Sequence, residues 1–353
     1  MKKIFKLGLY CALLPKLISI VLDGIHEKFN DTEYVYQIPE LSPPVGVVLL
    51  AHGCSHSSTD FWPKSVTCPD CIGLPVERKL VEISLELNMA VLAISSNDRE
   101  SKCWTNKDRM SVLSKFIRHF YRTKLNTLSS PDSIPLYLFG ASSGGMYVGV
   151  LSQQAAALNL PVGGTIVQIS PPFRFQSASN LRPYAFIHMV RDKYIAQYTQ
   201  GLIRDIKQAG AQTLEIRVSP KLLLPDYFTF NGILSSADSA KLVKDLKAAG
   251  YLSEDNHLIA DPRQSDWRTV GYLSFLFCPY LNNRLPLLLS FYCPLIVLCL
   301  NLLGWFKLFI TFASAGGKLQ SAARGAGSGL ARGGPKRHQR THERRLGESR
   351  DYR

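Results

Sequence analysis

Short apolar runs recur along this chain, and between them lie stretches whose apolar positions repeat at helical spacing. Residues 45–51 (VGVVLLA), 89–94 (MAVLAI), 135–139, 165–169, 184–190 and 213–218 read as strands. Residues 76–88, 110–121, 146–157, 193–208 and 237–248 read as helices, the first with Val76, Leu80, Val81, Ile83, Leu85 and Leu87 on its apolar side. Several strands are apolar throughout and do not alternate, the pattern of strands buried on both faces of a parallel sheet. Strand followed by helix, again and again, predicts an α/β fold with a mostly parallel sheet flanked by helices. This body spans residues 33–270 and shows no internal repeat.

Outside the body the pattern changes. Residues 1–32 form an apolar lead segment, broken by Lys6, Pro15 and Lys16. Charge inside the apolar core fits a signal peptide poorly and an amphipathic lead-in helix better. Residues 271–316 form a hydrophobic segment in which 285–306 carry no charge. That length suffices to cross a hydrocarbon core of about 30 Å and predicts a C-terminal transmembrane helix; the alternative is a buried terminal helix. Residues 317–353 are rich in Gly, Ala, Ser and Arg, which predicts a basic disordered tail.

Charge then refines the picture. The tail holds ten Lys/Arg against three Asp/Glu, so half of the chain's net charge of +14 lies off the folded body. The basic balance therefore points to no specific nucleic-acid partner. A basic tail beside a membrane span belongs on the cytosolic side, which places the body in the lumen of the secretory pathway with the membrane as a partner. The overall composition, 46% hydrophobic and 19% charged, is that of an ordinary globular protein.

The chain has eight cysteines. Cys68 and Cys71 form a CxxC pair in a Pro-containing loop, flanked by Cys54 and Cys103. No second CxxC or His pair stands at zinc spacing, and the pair does not sit between a strand and a helix as a redox motif would. The reading is structural, with disulfides if the body is lumenal. Neither metal nor organic cofactor is expected.

Chemistry enters at residues 136–145, LYLFGASSGG. A strand ends in Gly140-Ala141-Ser142-Ser143-Gly144 and leads into a helix. The pentapeptide alone is a weak signal; the strand before and helix after make it a nucleophile elbow. Gly140 and Gly144 let the backbone turn so that Ser142 stands exposed at the tip. The alternative is a Gly/Ser turn that holds phosphate at the helix N-terminus.

Acyl transfer by serine needs a base, an acid to orient it, and backbone donors for the oxyanion. Asp192 follows strand 184–190 and is the candidate acid; its alternative role is N-cap of the helix from Lys193, and Asp205 and Asp226 are weaker candidates. The candidate oxyanion donors are the N–H of Ser143 and the loop after Ala51, at Cys54 or Ser55. His52 and His56 precede the elbow and fit loop structure better than a base. Residues 219–230 contain no histidine, and His257 is the first downstream. It is the candidate base, with an exposed loop histidine as the alternative; His338 and His342 lie in the tail. Without a base, an oxyanion hole supports modest activity at best.

Over residues 33–220 the elbow, the strand with its His52-Gly53 loop, and Asp192 after a late strand together resemble the α/β-hydrolase superfamily. The strings HGCSH (52–56), CPDCIGLP (68–75) and DPR (261–263) are similar to a plant and algal branch. The resemblance implies an α/β-hydrolase domain over 33–270 and a serine hydrolase of esterase or lipase type, without cofactor. It would cleave an ester, thioester or amide of a small-molecule acyl substrate through an acyl-enzyme on Ser142. In the superfamily a final helix and the catalytic histidine close the domain. Here the chain turns after about Tyr272 into the apolar segment and tail, which looks like a replaced C-terminus. That departure sustains a second reading, a catalytically impaired hydrolase-fold binding protein tethered to a membrane.

Overall fold

The computed structural model describes residues 20–40, 42–126, 134–172, 182–232, 234–259 and 266. The hydrophobic segment, the basic tail and residues 1–19 lie outside them. Among the described residues no helix is long and apolar enough to cross a membrane.

Eight strands form one sheet: β1 (Ile25–Phe29), β2 (Thr32–Gln37), β3 (Gly46–Ala51), β4 (Met89–Ile94), β5 (Leu136–Ala141), β6 (Val162–Gln168), β7 (Tyr184–Met189) and β8 (Thr213–Val218). The helices are α1 (Pro75–Glu86), α2 (Met110–Lys124), α3 (Ser143–Gln154), α4 (Lys193–Gln208) and α5 (Ser236–Ala248). The spatial order is β1-β2-β4-β3-β5-β6-β7-β8. β1–β2 and β2–β4 pair antiparallel, and every pairing from β4 through β8 is parallel. The α/β expectation holds, and β4, α4 and β8 have the predicted limits.

The start of the domain needs correction. β1 lies within the stretch read as a lead segment, and the hairpin β1–β2 was not predicted. The reason is local: β1 (IHEKF) is a rim strand with no fully buried residue, so it lacks the apolar run that marks β3 and β4, whose residues are all buried. Packing anchors it instead. Trp62 is fully buried, lies against Gly24 and donates its Nε1–H to Gln37 Oε1 at 2.9 Å, while the His26 N–H reaches the Thr67 carbonyl at 3.1 Å.

Two cores fill the faces of the sheet. One packs α1 and the loop bearing Phe61, Trp62, Cys68 and Cys71 on Val48, Leu50, Val91 and Ile187. The other packs α2, α3 and α4 on Val47, Leu49, Leu92 and Phe186. A third, smaller cluster joins α5 to the segment after β8, through Leu223, Phe228, Leu242 and Leu246. From β3 the chain crosses to β4 on one side and later to β5 on the other. The carboxyl ends of β3 and β5 therefore flank the crevice where the direction of winding reverses, the place where open α/β sheets bind ligands.

Candidate active site

Ser142 sits at that crevice, between the end of β5 and the start of α3. Its φ of 53° and ψ of −122° place a non-glycine residue in a strained conformation. The surroundings enforce it. A Cβ on Gly140 would collide with the backbone of Gly144, and a Cβ on Gly144 with the carbonyls of Ala51 and His52. The Ser142 N–H donates to the Gln168 carbonyl at 2.9 Å, and its carbonyl accepts from Met146 N at 3.1 Å. The next strand is strained too: Ile169 has φ 72°, and the Ser170 N–H turns back to the Gln168 carbonyl at 2.9 Å, a positive-φ γ-turn. α3 thus starts at Ser143, three residues before its apolar pattern, because both elbow glycines are needed for close packing. Strand order, winding reversal and strained elbow decide the architecture. The chain has the α/β-hydrolase fold.

No protein-family model matches the sequence, and no curated protein matches it. Solved structures similar to it include an esterase of Pyrobaculum calidifontis, 13% identical, covering 65% of this chain and 85% of that one with a TM-score of 0.40. Esterase 2 of Thermogutta terrifontis is 13% identical, covering 66% and 94%, with a TM-score of 0.40. A thermostable esterase of Pseudomonas putida is 11% identical, covering 65% and 81%, with a TM-score of 0.39.

Around this elbow the loop after β3 and the start of α3 converge. A Cβ built on Gly53 would stand 3.5 Å from Ser142 Cβ, so the loop after β3 abuts Ser142. The Ser143 N–H is the first of α3 and has no acceptor within the helix. In the β3 loop, Ser55 (φ 68°) donates its N–H to the Ser101 carbonyl at 3.2 Å. That bond commits the Ser55 N–H to Ser101.

The two early histidines are structural, as their position suggested. His52 Nε2 accepts from Ser96 N at 3.0 Å, so its Nδ1 carries the proton and donates to the Gly53 carbonyl at 2.7 Å. Burial pushes its pKa down to about 4, against the Gly53 bond and the Asp60 charge, and the ring stays neutral. His56 is buried with Nδ1 2.6 Å from Asp60 Oδ2. Burial opposes its charge, but the Asp60 hydrogen bond and the Glu77 and Asp60 charges outweigh burial and raise its pKa. Asp60 also accepts from the N–H and hydroxyl of Ser57, completing a capping box.

Asp192 stands just past β7, and its Oδ1 accepts from Ile195 N at 3.0 Å, so it caps α4. His257 follows α5. Its Nδ1 lies 2.8 Å from Asp255 Oδ2, and its N–H donates to Ser253 Oγ at 3.0 Å. The described residues contain no hydrogen bond or ion pair joining Ser142, Asp192 and His257. The structure thus brings Gly53 against the Cβ of Ser142, with Ser143 next in the chain.

Sequence reasoning missed Trp104. Its ring is buried and stacks on Tyr147 with centroids 4.3 Å apart, its Nε1–H donates to the His52 carbonyl at 2.9 Å, and its N–H approaches Ser143 Oγ at 3.4 Å. No local motif announces it. The Cys54–Cys103 and Cys68–Cys71 pairs are disulfides, in keeping with a structural role.

Proposed function

We propose that this chain is a serine hydrolase that cleaves a small-molecule ester, thioester or amide through an acyl-enzyme on Ser142. The strained, glycine-packed elbow carries the reading, since a strained turn at this site is a cost that exposure of a nucleophile explains. Ser142 Oγ attacks the acyl carbonyl as His257 takes its proton. The oxyanion receives the Cys54 and Ser143 N–H groups, and the proton passes to the leaving alcohol, thiol or amine. Water then repeats the sequence and frees the acid. Asp192 is proposed to orient His257, which requires the 250–259 loop to close over the sheet edge; apo geometry of catalytic bonds is often long. The two disulfides support an oxidising compartment, and with the hydrophobic segment at 271–316 they support a membrane-tethered, lumenal body.

Fluorophosphonate labelling of the full-length chain in detergent tests this, with Ser142→Ala, Asp192→Asn and His257→Ala alongside. Labelling of wild type that is lost in Ser142→Ala is expected, with turnover of p-nitrophenyl butyrate reduced about 10²–10⁴-fold in His257→Ala. Unlabelled wild type would favour the second reading, an impaired hydrolase-fold binding protein, which the pairing of His257 with Asp255 rather than Asp192 supports.

A further inference from the structure

We propose that the Cys54–Cys103 disulfide and Trp104 form a brace that positions the oxyanion hole, so that Cys103 and Trp104 are positioning residues for catalysis. The inference rests on the serine-hydrolase reading. Its basis is that one short segment touches every element from which the oxyanion donors come. Residues 101–104 hold the β3 loop at two adjacent points: the Ser101 carbonyl accepts the Ser55 N–H at 3.2 Å, and Cys103 is bonded to Cys54. The neighbouring residue, Trp104, then reaches the end of β3 through the His52 carbonyl and the start of α3 through Ser143 Oγ. Its ring lies on Tyr147, one turn further along α3.

The geometry matters because the two donors come from different elements. Ser143 is fixed by the elbow. Cys54 lies in a loop, between residues tied by the His56 N–H to the Gly53 carbonyl at 3.3 Å and by the Ser55 N–H to the Ser101 carbonyl at 3.2 Å. A donor displaced by a fraction of an ångström no longer meets the position of the developing charge. The brace fixes the separation of Cys54 and Ser143 by joining both to the same short segment. The second disulfide, Cys68–Cys71, closes a turn against the first core and touches neither donor.

The test uses the full chain, p-nitrophenyl butyrate and a fluorophosphonate. In the Cys54→Ser/Cys103→Ser variant kcat should fall about 100-fold with KM unchanged, and labelling should slow in step, as when one oxyanion donor is lost. Cys68→Ser/Cys71→Ser should lower Tm and leave kcat unchanged, which separates positioning from bulk stability. Trp104→Phe keeps the disulfide and the stack but removes the indole N–H; its kcat should fall without change in KM, and it decides the matter if the double serine variant does not fold. Wild-type kcat in folded Cys54→Ser/Cys103→Ser, or in Trp104→Phe where only that variant folds, would overturn the brace and leave the hydrolase reading standing. A wild type that neither turns over nor labels would overturn the hydrolase reading and the brace with it.

Discussion

Ser142 is held by three neighbouring strands, whereas His257 is held by its own loop. At the elbow, backbone from β3, β5 and β6 closes around the serine with no room for a side chain on Gly140 or Gly144. The histidine hangs on Ser253 and Asp255, with the Leu223 N–H anchoring the Asn256 carbonyl at 2.8 Å and a small separate core behind it. The contrast teaches how strain and freedom are divided. The elbow is held by packing at Gly140 and Gly144, so it tolerates little change. His257 lies beside a small cluster that shares Tyr227 with the first core of the sheet. Substitutions at the elbow glycines should therefore cost stability, and on the proposed mechanism those at His257 should cost rate.

The largest expected effect breaks the elbow. Gly144→Ala drives a methyl group into the Ala51 and His52 carbonyls, and should destabilise by more than about 4 kcal/mol. Urea unfolding measures it, and an unchanged midpoint would show that the elbow is not packed as described. The next uses His52. The folded protein keeps this ring neutral down to about pH 4, while the unfolded chain takes up the proton near the ordinary value of 6.5. Between those values the unfolded state binds more protons, so stability is full above pH 6.5 and falls as pH drops to 4, by about 3 kcal/mol. His52→Gln should flatten that slope in denaturation curves taken across the range, and an equally steep slope in the variant would assign the loss to other groups.

The smallest effect on stability sharpens the comparison at Asp192. Asp192→Ala should cost about 1 kcal/mol through loss of the α4 cap, and Asp192→Asn only a few tenths of that. If Asp192 also orients the base, both variants lose turnover alike. Thermal unfolding set beside kcat separates the two roles: activity retained in Asp192→Asn would leave it a cap alone.

Much of the fold was legible because its signals are local. The apolar run of β4 and the strong amphipathic period of α4 define those elements to the residue, and the elbow motif carries its own steric logic. The hairpin β1–β2 was hidden because His26, Glu27 and Lys28 make β1 look like loop, and what holds it is Trp62, far along the chain. In the site, Ser142 and Ser143 could be read directly. The bond from Ser55 to Ser101 could not, and neither could the contacts of Cys103 and Trp104, whose partners lie about 50 residues away in sequence. Pairing across such separations leaves no periodicity to find.

The rim strands of the sheet have a consequence for how the molecule behaves in company. An open sheet can grow by adopting a strand from another copy, and fibres begin that way. Here β1 ends the described sheet on one side with Glu27 and Lys28, and β8 ends it on the other with Glu215 and Arg217 paired at 3.0 Å. A newcomer docking on either rim would have to strip water from these charges. Polymerisation through the backbone is disfavoured at both ends of the described sheet.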